Sequence, residues 1–410
     1  MNYITSKSDW NRECFVNTDG EFSVNVKFRN PNEFEGVRGI SDDPITTAFF
    51  YEKGVKTVEK PEFLSVDPSI LTKGLVTQDY DSNFGTLEEK ILNPCERGIR
   101  VDFPNQFILL NLPDGKQGLY MAKIDFESRG ANLDIRSEIY LQRIEKRTER
   151  FIRNNGVTAL ENEQLAFDIQ SNHLSQYLAW EYLINNPNIQ FVALSGKAGS
   201  GKTLLAYLGG LDNVLVDSKE DVVNKKYKYH SMRLLKPATP PTEHAVGFLP
   251  GDLHSKLGPQ MQTFRDLHND NIVPGFPYAE ALSPQQPNRY DKAKIYFPTK
   301  NHPLIVEDTV AFAKGSTWGN QWIIVDEAED LKRRDGVGLA TRIGIGSKMI
   351  FCGDPYQTHN PKCTPSKNGL VHLAHQYVLN QHPQFAMIQL GRTNRSPVAN
   401  AAAGFPDYRD

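Results

Sequence analysis

Residues 191–208 read FVALSGKAGSGKTLLAYL, and the fold follows from how they are read. Gly196, Lys197, Ala198, Gly199, Ser200, Gly201, Lys202 and Thr203 fit the pattern G-x-x-x-x-G-K-[ST] at every fixed position. Residues 191–194 form a short apolar run suited to a buried strand, and the chain after Thr203 is rich in Leu and Ala, as an opening helix is. Strand, glycine loop and helix form the context this pattern needs. A triphosphate carries dense negative charge, so its site needs many donors at short range. Glycines let the backbone fold tightly enough to aim successive N–H groups inward, and the helix N-terminus adds partial positive charge. Lys202 would reach the β- and γ-phosphates, and the Thr203 hydroxyl would ligate Mg2+. A glycine-rich turn without a ligand is the bland alternative, and the flanking strand and helix argue against it.

Working outward, the next informative stretch is 321–330, QWIIVDEAED. Its apolar run predicts a buried strand with Asp326 and Glu327 at the carboxyl end. A P-loop fold needs a carboxylate there to hold Mg2+, directly or through water, and Asp326 is the candidate. Glu327 is placed to orient or deprotonate an attacking water. Residues 349–354, MIFCGD, predict a further strand next to the two nucleotide strands, and Gln357 and Asp354 are candidates to sense the γ-phosphate. Arg342, Arg392 and Arg395 could each neutralise transition-state charge, within the chain or from a neighbouring subunit; each is equally readable as a surface arginine. Gln164 lies upstream of the glycine loop, where a glutamine can pair with an adenine edge or simply face solvent. At 225–233 basic and aromatic residues interleave, which suits single-stranded nucleic acid and also suits a charged edge strand. Residues 271–304 hold six prolines and read as a long exposed insertion.

The chain of 410 residues is long enough for two or three domains. The expected division is a β-rich domain at 1–155 followed by an ATPase domain at 156–410. In the first part, 21–28, 46–51 and 99–103 predict strands, and 107–112 with 118–124 predicts a hairpin around Pro113-Asp114-Gly115. Residues 139–154, IYLQRIEKRTERFIRN, predict an amphipathic helix joining the halves. Scattered acidic residues there include Asp42, Asp43, Asp67, Asp79 and Asp81, and nothing in the sequence clusters them into a two-metal nuclease site. A net charge of −3 excludes a chain that coats nucleic acid over its whole surface, while a local basic surface stays open. No apolar run approaches bilayer length, so no membrane partner is expected. The first residues lack a signal-peptide core. Cys14, Cys95, Cys352 and Cys363 lie far apart without C-x-x-C spacing, which argues against zinc or a disulfide scaffold and for a reducing cytoplasm.

Several of these segments together carry a family resemblance. Glu163-Gln164, SGKAGSGKTLLA, the strand ending MRLLKP, GFLPGDLHSKLGPQM, KGSTWGNQWIIVDEAED, ATRIGIGSKMIFCGDPYQTHNP and KNGLVHLAHQ occur in that order. The chain resembles the PhoH-like ATPases, in particular those whose PhoH domain follows a nuclease-like PIN domain. The likeness covers about 160–400, with a weaker echo at 105–123. It implies an α/β fold, a P-loop NTPase with a mostly parallel sheet and helices on both faces, preceded by a smaller β-rich α+β domain. It also implies ATP and Mg2+ as cofactors, helicase-like action on RNA or single-stranded nucleic acid, and a homo-oligomeric ring such as a hexamer. The family's Gln-Asn after the acidic pair is Glu329-Asp330 here, which weakens any polar role of those two positions. The first third does not look like a complete PIN domain, so ribonuclease activity is not carried over. Compact variants of this kind look like those of bacteriophages, which would place the protein in a host cytoplasm. An ATP-dependent switch or scaffold without motor activity, and a small-molecule kinase, are the other classes that a P-loop allows.

Overall fold

The computed structural model describes residues 66–124, 139–144, 174–214, 228–237, 260–271, 278–283, 303–310 and 316–391, together with the backbone of short strand segments elsewhere. By contact the chain divides into two units, 1–67 and 68–410. In the first unit β1 (Arg12–Val16) pairs antiparallel with β2 (Phe22–Val26), and β3 (Arg38–Ile40) pairs parallel with β4 (Thr57–Glu59). The strand expected at 46–51 lies outside the described residues.

The second unit begins with a 3-10 turn, Pro68–Gly74, and a five-stranded sheet. Its strands are β5 (Leu75–Asp79), β6 (Lys90–Ile91), β7 (Phe107–Asn111), β8 (Gln117–Ile124) and β9 (Ile139–Arg143), in the order β5-β7-β8-β9-β6. The expected hairpin is β7–β8, with Phe107 opposite Met121 and Leu109 opposite Leu119. Residues 99–103 are irregular rather than a strand. The helix expected from residue 139 is also not formed at its start. Ile139 and Leu141 are buried while Tyr140 and Gln142 are half-buried, a period of two that pairs with β8. Between residues 145 and 173 the described backbone forms only the short pair β10 (Arg150–Phe151) and β11 (Ile169–Gln170).

The larger sheet uses β12 (Phe191–Gly196), β13 (Ser231–Lys236), β14 (Ile305–Thr309), β15 (Gln321–Val325), β16 (Lys348–Gly353) and β17 (Phe385–Leu390). Their order is β14-β13-β15-β16-β12-β17, and every pairing is parallel. Such strands need cover on both faces, and alternation along each strand sorts the side chains accordingly. Val192, Leu194, Trp322, Ile324, Ile350, Cys352, Ala386 and Ile388 share one core with α1 (Leu174–Trp180) and α2 (Lys202–Val214). The next two helices are α3 (Gln262–Asn271) and the short α4 (Tyr278–Ala281). Phe191, Phe351 and Phe385 point the other way, where Tyr377 stacks on Phe385. Tyr377 belongs to α6 (Gly369–Leu379), which packs against α5 (Arg333–Ala340) with Gly336 and Gly369 in close approach. This is the mostly parallel α/β sandwich the sequence predicts, with helices on both faces.

The small sheet is not an appendage on a linker. Phe107, Leu119 and Met121 enter the same core as α1 and α2, and the Phe107 ring stacks on Tyr182 at 4.5 Å. The opposite faces of β7 and β8 (Ile108, Leu110, Tyr120, Ala122) form a separate core with Ile91, Ile139 and Leu141. Residues 68–144 belong by contact to the same unit as the large sheet. Asn105 makes the polar seam. Its Nδ2 donates to the carbonyls of Pro383 and Phe385 at 2.8 Å each, and its own carbonyl accepts from the Tyr182 hydroxyl at 2.5 Å. Lys348, buried at the start of β16, donates to the carbonyls of Tyr182, Leu183 and Asn186 and so caps the turn that extends α1.

Asn105 also sits at φ 66, a left-handed conformation that an alanine adopts at a cost of about 1–2 kcal/mol. Asn105→Gly loses only the seam hydrogen bonds, and Asn105→Ala loses them and adds strain. In chemical denaturation the alanine variant should therefore be the less stable of the two by about 1 kcal/mol. Equal stabilities would contradict this account of the seam.

Candidate active site

The glycine loop leaves the carboxyl end of β12 and enters α2. Gly196, Gly199 and Gly201 have φ of 145°, 80° and 94°, a region that side chains rarely enter. At Gly196 a Cβ would lie 2.8 Å from the Leu390 carbonyl, so β17 presses on the loop from the side. Gln176 on α1 braces it from beneath, donating from Nε2 to the Ser200 carbonyl at 3.0 Å. The Ser200 hydroxyl is buried without a hydrogen-bond partner among the described residues. Lys202 folds back into the loop, its ammonium donating to the carbonyls of Gly196 at 2.5 Å and Lys197 at 3.1 Å. These are weak partners for a cation and leave Lys202 available to a stronger acceptor such as phosphate.

The acidic pair stands where the strand order brings it. β16 lies between β12 and β15, so the carboxyl end of β15 faces the first turn of α2. Thr203 Oγ1 donates to Asp326 Oδ1 at 2.7 Å. A hydroxyl from the start of α2 and a carboxylate just past the end of β15 form an all-oxygen donor set, the kind a hard divalent cation takes, and this fits Mg2+. Glu327 follows with φ 54°, a left-handed turn that ends the strand and sets its side chain apart from that of Asp326. Lys236, buried at the end of β13, lies 3.2 Å from Asp326 Oδ2 and 3.0 Å from Glu327 Oε1. Burial lowers the Lys236 pKa, but Asp326 and then Glu327 outweigh it and leave it raised. The ammonium is therefore a fixed positive charge between the two carboxylates.

Beneath the pair sits a carboxyl that the sequence reading discounted. Glu329 is buried, and its Oε2 has no hydrogen-bond partner among the described residues. Burial pushes its pKa up to about 8, against lowering by backbone hydrogen bonds at Glu329 and Asp354 and by Lys202. Gly353 makes room for it, because a Cβ there would lie 2.3 Å from Glu329 Oε2. Asp330 also has a polar role. Its Oδ1 accepts from the backbone N–H groups of His359 and Asn360 at 2.6 and 2.9 Å, which pins the segment after β16. Asp354 and Gln357 open that segment in a tight turn, Gln357 N–H donating to the Asp354 carbonyl at 2.9 Å. Gln357 thus stands past the carboxyl end of β16, on the same edge of the sheet as the glycine loop.

Other expected residues fall elsewhere. The Arg342 carbonyl accepts from Trp318 N–H at 2.8 Å, and Ile343 bridges to Trp318, which precedes β15. Arg342 is therefore at the amino ends of the strands, at least the length of the five-residue strand β15, about 17 Å, from the edge that carries the glycine loop. Gln164, Arg392, Arg395 and all of GFLPGD lie outside the described residues. Among the described residues Gln176, which the sequence reading did not single out, is a glutamine beside the loop, on the buried face of α1. Of the basic and aromatic stretch at 225–233, Tyr229 is buried edge-on to Trp322, and Arg233 pairs with Asp308 and stacks on Trp318. Lys228 is exposed.

The raised Glu329 pKa has a consequence with a definite sign. Between about 4.5 and about 8 the folded protein holds a proton that the unfolded chain has released, so this group's contribution to stability falls as pH rises through that window. Glu329→Gln removes the dependence. Relative to wild type, the variant should gain unfolding stability from pH 5 to pH 8.5. A difference that stays flat with pH would contradict the burial of an uncompensated carboxyl.

Comparison with known proteins agrees with this geometry. The family profile described as PhoH-like protein matches residues 168–404. Protein PhoH2 of Bacillus subtilis (strain 168) is 30% identical over 248 residues, covering 59% of this chain and 50% of that protein. Protein PhoH2 of Thermobispora bispora is 24% identical over 246 residues, 60% of this chain and 49% of that protein. A PhoH-like protein of Synechocystis sp. is 32% identical over 175 residues, 43% of this chain and 44% of that protein. The chain thus spans about half the length of these relatives. With the glycine loop, the acidic pair and the parallel sheet in the matched region, the chain belongs to the PhoH-like protein family, a family of nucleotide-binding P-loop proteins.

Proposed function

We propose that the protein is a Mg2+-dependent ATPase that acts on RNA or single-stranded nucleic acid in a helicase-like manner. The observation that carries the ATPase reading is the 2.7 Å contact between Thr203 Oγ1 and Asp326 Oδ1, which joins the two halves of a nucleotide site from segments 123 positions apart. Thr203 and Asp326 would hold Mg2+, which would neutralise charge on the phosphates of a bound nucleotide. Lys202 exchanges its loop carbonyls for phosphate oxygens. The backbone N–H groups from 197 to 203 receive the phosphates at the start of α2. Glu327 orients the attacking water and accepts its proton, and Gln357 reports the γ-phosphate to the segment anchored on Asp330.

Arg342 is too far along the sheet to serve its own site. We place it at a boundary between subunits of a homo-oligomeric ring, beside the fully projecting Ile345, which is 92% exposed. The nucleic-acid part of the proposal rests on the family resemblance and on the exposed basic residues. Because Tyr229 and Arg233 are taken up inside the fold, a nucleotide-driven switch without motor activity is the second reading.

ATP hydrolysis by wild type, Lys202→Ala and Glu327→Gln, with and without single-stranded RNA or DNA, tests both parts. Each substitution should lower turnover by about 100-fold or more, and RNA or DNA should raise the wild-type rate. Turnover that nucleic acid leaves unchanged favours the switch. Turnover that survives Glu327→Gln overturns the assignment of the base.

A further inference from the structure

We infer that Lys236 is a positioning residue for hydrolysis, which holds Asp326 and Glu327 apart in their working orientations and ties them to helix α3. The inference rests on the nucleotide-site reading above and adds a residue that the acidic motif itself does not contain. Three contacts define the role. The Lys236 ammonium reaches Asp326 Oδ2 at 3.2 Å, Glu327 Oε1 at 3.0 Å and Thr263 Oγ1 at 3.3 Å. Three donors on the ammonium meet three oxygens: on the residue that follows β15, on the turn after it, and on the first turn of α3.

The division of labour at Asp326 is the telling feature. One carboxylate oxygen, Oδ1, takes the Thr203 hydroxyl, and the other, Oδ2, faces Lys236. The two oxygens are therefore committed to opposite sides, with Oδ1 left on the side of the glycine loop. Glu327 is held by the same ammonium, although its own side chain is 41% exposed. Without Lys236 two adjacent carboxylates would repel each other, and Glu327 would be free to swing into solvent. The Lys236 ammonium also lies over the Phe264 ring of α3, 5.9 Å from its centroid.

Helix α3 is itself fastened to the glycine-loop helix. Tyr207 on α2 and His268 on α3 share a buried hydrogen bond of 2.7 Å, and His268 packs edge-on against Tyr278. Tyr278 donates to Glu307 at 3.0 Å, and Arg265 on α3 pairs with the same carboxylate. Lys236 thus sits between the carboxylates and a helix whose other end is anchored to α2. A residue so placed sets the position of the base more directly than any group within the acidic motif.

A positioning lysine and a merely structural one differ in the sign of one observable. Lys236 carries a charge of the same sign as the metal and shares Asp326 with it from the opposite carboxylate oxygen, so its removal should tighten metal binding while it slows hydrolysis. The experiment uses the full chain with Mn2+ alone as the metal probe, followed by electron paramagnetic resonance, beside single-turnover ATP hydrolysis. Lys236→Met should bind Mn2+ about threefold tighter or more in the absence of nucleotide, and hydrolyse ATP about 30-fold more slowly. Lys236→Arg keeps the charge and should restore hydrolysis to within about fivefold of wild type. If Lys236→Met does not fold, Lys236→Gln, which keeps a donor to Glu327 but no charge, carries the same comparison. Hydrolysis close to the wild-type rate, or Mn2+ binding lost in parallel with hydrolysis, would overturn the inference. A wild type that binds Mn2+ but hydrolyses no ATP contradicts the ATPase proposal instead, and the Mn2+ comparison still reports on Lys236.

Discussion

The hydrogen bond from Thr203 to Asp326 is the contact on which the rest of the site depends. It forms only if β12 and β15 run parallel, end at the same edge, and are separated by one strand whose own end stays small. β16 meets that last demand with Gly353, which leaves space for the Glu329 carboxyl beneath the site. The helices follow from the same constraint, because a parallel sheet must be covered on both faces. The alternation of Phe191, Val192, Ala193 and Leu194 divides the core between α1 and α2 on one side and α6 on the other. Lys202 resting on loop carbonyls and Lys236 bridging two carboxylates are then complementary: one cation is weakly held and the other firmly.

The small sheet of 68–144 shows how an accessory element is made integral. Gly74 approaches β17 so closely that a Cβ would collide with the Met387 carbonyl. Asn105 extends the contact by using its side-chain amide on two carbonyls at the start of β17, and Gln381 reaches back to the Asp102 carbonyl at 2.6 Å. An edge strand next to the glycine loop is thus covered by protein rather than left open, and the same strand presses on Gly196. The small sheet and the phosphate loop rest on one shared strand, β17.

Sequence and structure agree most closely where the signal is local and dense. The glycine loop, the Trp322–Val325 run with its acidic end, the hairpin at Pro113-Asp114-Gly115 and the strand Phe385–Leu390 were all legible, because each has its turn chemistry or its unbroken apolar run in a few residues. The segment at 139–144 was not, since a five-residue strand followed by a highly charged stretch mimics helical spacing over a longer window. Gln176 was hidden because spacing to a loop does not reveal which helix face a glutamine occupies. Lys236 was one basic residue among several, and only the neighbouring strand shows that it faces carboxylates. Glu329 and Asp330 read as departures from a family pattern, yet one is a buried acid beneath the site and the other pins the backbone at His359 and Asn360. Arg342 looked local in sequence to the acidic pair, but helix α5 carries the chain back to the opposite edge of the sheet.

The most direct measurement is a structure of the protein with Mg2+ and a non-hydrolysable ATP analogue. The account predicts phosphates on the backbone N–H groups of 197–203, Lys202 moved off the Gly196 and Lys197 carbonyls onto phosphate oxygens, and the metal between Thr203 and Asp326 with Lys236 still on the far side of Asp326. Nucleotide bound elsewhere, or bound in the loop with Lys202 still on its carbonyls and no metal at Thr203 and Asp326, would contradict it.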